Sequence, residues 1–111
     1  MNLHRLSEER SRAYHQVIAD RLRGDRTILE RARARVDGWI SSSGTPPFYA
    51  LQWREVLCRD VEAIAAFLVD DGELARELRQ SSPFAGVLSP EERWQIWRDA
   101  AAQGAQARDP R

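Results

Sequence analysis

The chain has 111 residues, 42% of them apolar and 31% charged, with 17 basic side chains balancing 17 acids. That is the size and balance of one folded domain, and a formal charge of zero excludes the cation excess on which generic polyanion binding depends. A single cysteine, Cys58, excludes an internal disulfide and points to a reducing, cytoplasmic setting. The start of the chain has no secretory-signal character and no apolar run approaches a membrane span, so no membrane role is expected.

Taken in chain order, the apolar spacing is helical throughout. The first helix is expected to start after Ser7 and run to about Arg23, with Tyr14, Ile18 and Leu22 on one stripe. Gly24 suits a left-handed C-cap. Asp25 is a candidate N-cap for a second helix over residues 26–41, whose buried face carries Ile28, Leu29, Ala32, Val36, Trp39 and Ile40. The stretch 41–47, SSSGTPP, breaks the pattern, and Pro47 suits the first position of the next helix.

Residues 48–59 predict a third helix with Leu51, Trp53, Val56 and Leu57 apolar. Asp60 then caps a fourth helix carrying Val61, Ile64, Phe67 and Leu68, and Asp71 a short fifth one carrying Leu74 and Leu78. After the loop SPFAG, Ser89 and Glu92 form a capping-box pattern with Pro90 at the first helical position. Beyond Ala100 there is no apolar anchor. The expectation is an all-α irregular bundle of five to six short helices in one domain over residues 1–100, with residues 101–111 a disordered tail.

The charges are unevenly placed. Residues 1–36 and 93–111 have an excess of arginine, and residues 37–92 an excess of acids. There is no lysine: every basic side chain is an arginine, whose planar fork suits carboxylates, carbonyls and aromatic faces.

No residue set compels catalysis. His4, His15 and Cys58 lack metal-ligand spacing, so no metal or other cofactor is expected. Cys58 is read as a small core residue. The carboxylate pairs Glu8–Glu9, Asp70–Asp71 and Glu91–Glu92 fall near expected helix starts, where acids stabilise free amides. Phosphate-binding glycine patterns and the nucleophile-elbow motif are absent. Arg10 and His15 have the Arg-x4-His spacing that resembles HEPN-type helical ribonucleases, although that family usually carries the motif late in the chain.

Two surfaces are candidates for recognition. On the second helix, Arg26 and Arg33 have acids four residues on, which leaves Arg31 and Arg35 as candidate nucleic-acid contacts, most effective in a homodimer. Toward the C-terminus, Phe84, Trp94 and Trp97 are either the staple of the last helix or anchors for another chain.

The segments LSEERSRAYHQVIADRLRGD, ARARVDGWI and LRQSSPFAGVLSPEERWQIWR resemble the antitoxin partners of nucleotidyltransferase-like toxins in bacterial toxin–antitoxin pairs, over about residues 3–98. The resemblance implies a small helical protein without chemistry of its own, which binds and silences a cognate toxin, often dimerises, and often contacts operator DNA of its own promoter. A toxin acting on nucleic acid should carry a basic groove, to which the acidic stretch 60–77 is complementary. The expected partner contacts are Trp97, Phe84, Arg93, Arg98, Asp70 and Asp71. A DNA-binding regulator using Arg31 and Arg35 is the alternative, and a ribonuclease using Arg10 and His15 the third reading.

Overall fold

Trp53 sits at the centre of the molecule with none of its surface exposed. Its Nε1–H donates to the Leu78 carbonyl at 3.2 Å, and the rings of Phe67 and Phe84 meet it edge-on at 5.8 and 6.0 Å. A buried indole is favourable only when its N–H finds such a partner. The computed structural model describes the backbone of residues 3–42 and 44–108 and the side chains of residues 6–42 and 44–102.

The described residues form six helices: α1 (Leu3–Leu22), α2 (Arg26–Ser41), α3 (Phe48–Leu57), which carries Trp53, α4 (Val61–Leu68), α5 (Glu73–Arg79) and α6 (Pro90–Arg108). No strand occurs among the described residues, and the architecture is an all-α bundle. Helix α1 is the hub, packing on α2, α4, α5 and α6. Its Ile18, Ala19 and Leu22 join Leu29 and Val36 of α2, Val56 and Leu57 of α3, Ile64 and Leu68 of α4 and Leu78 of α5 in one apolar cluster. No helix is long and apolar enough to cross a membrane among the described residues.

The helix starts follow local chemistry. The Asp25 carboxylate accepts from Thr27 N and Oγ1, and that of Asp60 accepts from Ala63 N at 2.8 Å. The α6 capping box is complete: Glu92 N–H donates to Ser89 Oγ at 3.1 Å, and Ser89 N–H to Glu92 Oε1 at 3.0 Å. These bonds satisfy amides that have no partner inside their helices.

Several local features differ from the sequence reading. Helix α1 begins at Leu3, ahead of Ser7, because the preceding LHRL has no residue that stops a helix. Gly24 is not left-handed; Gly24 N–H and Asp25 N–H both donate to Arg21 O, and the chain passes directly into the α2 cap. Pro47 lies outside α3 as its cap, with extended backbone. The N-cap of α5 is Gly72, and Asp71 is not; the Asp70 carboxylate holds that turn by accepting from Gly72 N at 2.9 Å. Cys58 is exposed, since it caps the C-terminus of α3 one residue beyond buried Leu57. Leu51 and Leu74 are also exposed. Helix α6 runs to Arg108, past Ala100, through a stretch rich in alanine and glutamine, both good helix formers; residues 109–111 of the expected tail lie outside the described residues.

Arginine closes the helix ends in this bundle. The Arg33 guanidinium donates twice to Leu57 O at the end of α3, at 3.0 and 2.8 Å. At the end of α4, Arg12 reaches Val69 O at 2.9 Å, and Arg79 reaches Leu68 O and Asp70 O at 3.2 and 2.8 Å. Carbonyls at a helix C-terminus have no intrahelical donor, and a forked cation serves them well.

Candidate interaction surface and cleft

Helix α6 leaves the capping box with two faces. Arg93 and Trp97, four residues apart, share one face, and Trp94 and Arg98 share another. The first face turns to α1, the only helix on which α6 packs among the described residues. There the Arg10 guanidinium lies over the Trp97 ring at 4.9 Å, Ile96 packs on the core cluster, and Arg21 pairs with Glu92. The Arg21 guanidinium and Ser89 N–H hold the Glu92 carboxyl below its usual range. The second face is open. Trp94 is 61% exposed, more than any other large apolar side chain described, and Arg98 is exposed beside it.

The structure distributes the expected contact residues among different roles. Phe84 is a correction: it is 1% exposed and belongs to the core against Trp53, so it is no surface anchor. Pro83 and Phe84 enter the interior because the Ser82 hydroxyl accepts from Phe84 N and folds the loop inward. Trp97 is half-buried under Arg10. Arg93 and Arg98 are exposed.

Asp70 and Asp71 are exposed. The Asp70 carboxylate is bonded to Gly72 N, its carbonyl receives Arg79, and Asp71 lines with Glu8 and Glu9 a groove that Arg12, Arg76 and Arg79 also line. In the same acidic stretch, Glu62 pairs with Arg23 at 2.9 Å.

The arginines of α2 also sort differently from their sequence pattern. Arg33 serves Leu57 O, across the bundle, and not the acid four residues on. Arg35, read as free, donates to Ala85 O at 2.6 Å and fastens the loop before α6. Arg31 remains exposed. The expected two-arginine DNA contact therefore has one member engaged in holding the fold.

Arg10 and His15 line one open cleft between α1, α2, α3, the 80–88 loop and α6. His15 is buried at 5% exposure; its Nδ1 lies 2.8 Å from Ser11 O and its Nε2 2.8 Å from Ser82 Oγ. A carbonyl only accepts, so Nδ1 carries the proton and Nε2 accepts from the Ser82 hydroxyl. Burial, aided by the nearby Arg79 charge and opposed by the Ser11 bond, pulls the His15 pKa down to about 4. The ring is neutral at pH 7, with Nδ1 bonded within α1 and Nε2 linking α1 to the loop, 67 residues away in sequence. His4 lies outside the described side chains. No group of three or more His, Cys, Asp or Glu residues is placed to hold a metal among the described residues.

Sequence reasoning ranked Trp97 above Trp94 and missed the latter as the exposed member of the pair. The i, i+3 spacing put both on one helix face, whereas in the structure Trp97 meets α1 and Trp94 is exposed. Comparison with known protein families, curated proteins and solved structures finds no match for this chain.

Proposed function

We propose that the chain is a protein-binding inhibitor, the antitoxin of a bacterial pair whose toxin resembles a nucleotidyltransferase. The observation that carries the binding role is the outer face of α6, where Trp94 stands 61% exposed beside Arg98 on a helix that, among the described residues, packs on α1 alone. Large exposed aromatics flanked by arginine are the usual anchors of protein interfaces. The antitoxin assignment rests on the sequence resemblance.

The acidic contribution narrows to Glu73 and Glu77, since Asp70 and Asp71 are already matched by nearby cations or turn amides. Glu73 and Glu77 are exposed on α5, beside exposed Leu74. In this reading they meet a basic groove of the toxin while Trp94 enters an apolar pocket. Homodimerisation and operator binding are further properties that the resemblance implies, and exposed Arg31 of α2 is the residue the second reading assigns to DNA.

The test is co-expression with the product of the adjacent reading frame, followed by calorimetry on the purified pair. A stable complex that rescues growth is expected. Trp94→Ala should weaken it by about 2 kcal/mol or more, as hot-spot truncations do. Reversing Glu73 and Glu77 to arginine should slow association and remove its salt dependence. Growth rescue without a complex, or full affinity in both variants, contradicts the proposal.

A further inference from the structure

The cleft containing Arg10 and His15 has a volume of about 500 Å3, within the range of small-ligand sites. Tyr14, Trp39 and Tyr49 supply an aromatic wall, and the rings of Trp39 and Tyr49 are fixed edge-to-face at 5.4 Å. Among the described residues, three arginines line the cleft, Arg10, Arg79 and Arg93, and no aspartate or glutamate does. That is a one-sided charge in a chain whose acids equal its arginines.

Arg79 is bonded to main-chain carbonyls and is a fixed positive charge at the base. Arg10 and Arg93 form no ion pair among the described residues, and Arg10 is held in place by the Trp97 ring. The lip is formed by Ala85 and Gly86, and Gly86 is the one residue described with a left-handed backbone, φ +92°. The Arg35 bond to Ala85 O pins that lip.

Outside the cleft the one-sided charge ends: the adjoining grooves mix Glu8, Glu9 and Asp71 with Arg12, Arg76 and Arg79, and the first turn of α6 carries Glu91 and Glu92. A nucleic-acid strand leaving the cleft would meet acids as well as arginines, whereas a short ligand stays within the arginine-lined cleft. We propose that the cleft binds a compact organic anion, its planar apolar body against Tyr14, Trp39 and Tyr49 and its carboxylate or phosphate head on Arg10 and Arg93. Guanidinium groups without a carboxylate partner beside an apolar wall are the recognition chemistry for such a head. The site belongs to the isolated chain and is independent of the toxin-binding proposal.

The test is a calorimetric and 15N-NMR titration of the full chain at low salt with two probes, indole-3-acetate for a carboxylate head and adenosine monophosphate for a phosphate head. Indole and adenosine serve as neutral controls. At least one anion should bind one-to-one and about tenfold or more tighter than its neutral analogue, with shifts centred on Tyr14, Tyr49 and Gly86. The probe that binds identifies the head, and binding of both means the arginines read charge alone.

Arg10→Gln with Arg93→Gln should cost about tenfold in affinity. Ala85→Trp, on the exposed lip, should block binding with an unchanged melting curve. The proposal is overturned by equal affinity for anion and neutral control, by no binding in the millimolar range, by unaltered affinity in the arginine variant, or by tighter binding of a single-stranded oligonucleotide than of the mononucleotide.

Discussion

His15 shows how one residue can set a stability profile. Its pKa is about 4 in the folded chain against an ordinary 6.5, so the unfolded state binds the extra proton first. The stabilisation is fully present above the ordinary value and is lost as pH falls from 6.5 through 4, about 3 kcal/mol in all. The melting temperature should fall across that window, and His15→Gln should flatten the fall, because an amide keeps both polar contacts without titrating. An unchanged pH slope in the variant would place the effect elsewhere; the lowered carboxyls of Asp25 and Glu92 act below the ordinary carboxylate range. Arg79→Met tests the second buried polar group. It removes the donor from buried Leu68 O and part-buried Asp70 O and should cost about 1–3 kcal/mol in chemical denaturation, mostly from Leu68 O. Neither role was legible in the sequence. Ser82, which holds His15 Nε2, and the carbonyls that hold Arg79 come from other parts of the chain, and periodicity reports only a residue's own helix.

At the scale of elements, the starts of α2, α4 and α6 were legible, whereas those of α1 and α5 fell elsewhere. A side-chain oxygen at the cap and its acceptance of a nearby amide are local events, and Asp25, Asp60 and the Ser89–Glu92 box all make the expected bonds. Ser89→Ala should therefore destabilise the protein by about 1 kcal/mol in thermal or denaturant unfolding. Helix ends were less legible because arginines from distant helices close them, as Arg33 does for α3. The last helix was legible as a helix but not in its orientation. At about 100° per residue, Trp94 and Trp97 are only about 60° apart, and which one meets α1 depends on packing. The two tryptophans should separate by experiment: Trp97→Ala lowers the melting temperature by removing the seat of Arg10, whereas Trp94→Ala leaves stability within about 0.5 kcal/mol.

For the whole molecule, equal numbers of acids and arginines hide three arrangements. Some arginines fasten helix ends, some acids sit in turns or ion pairs, and the remainder mark surfaces: Arg98 beside Trp94, Arg10 and Arg93 in the cleft, Glu73 and Glu77 on α5. The all-α bundle was legible because apolar stripes at helical spacing with capped starts admit little else. Which charges remain available was not, since that depends on pairings made only by the fold. The proposed inhibitor role rests on the outer face of α6 being adhesive and not structural. Amide hydrogen exchange of the chain, alone and bound to the product of the adjacent reading frame, tests this most directly. The account predicts added protection over α6 around Trp94 and Arg98 and over α5 around Glu73 and Glu77. Protection confined to other helices, with α6 exchanging as in the free chain, would contradict it.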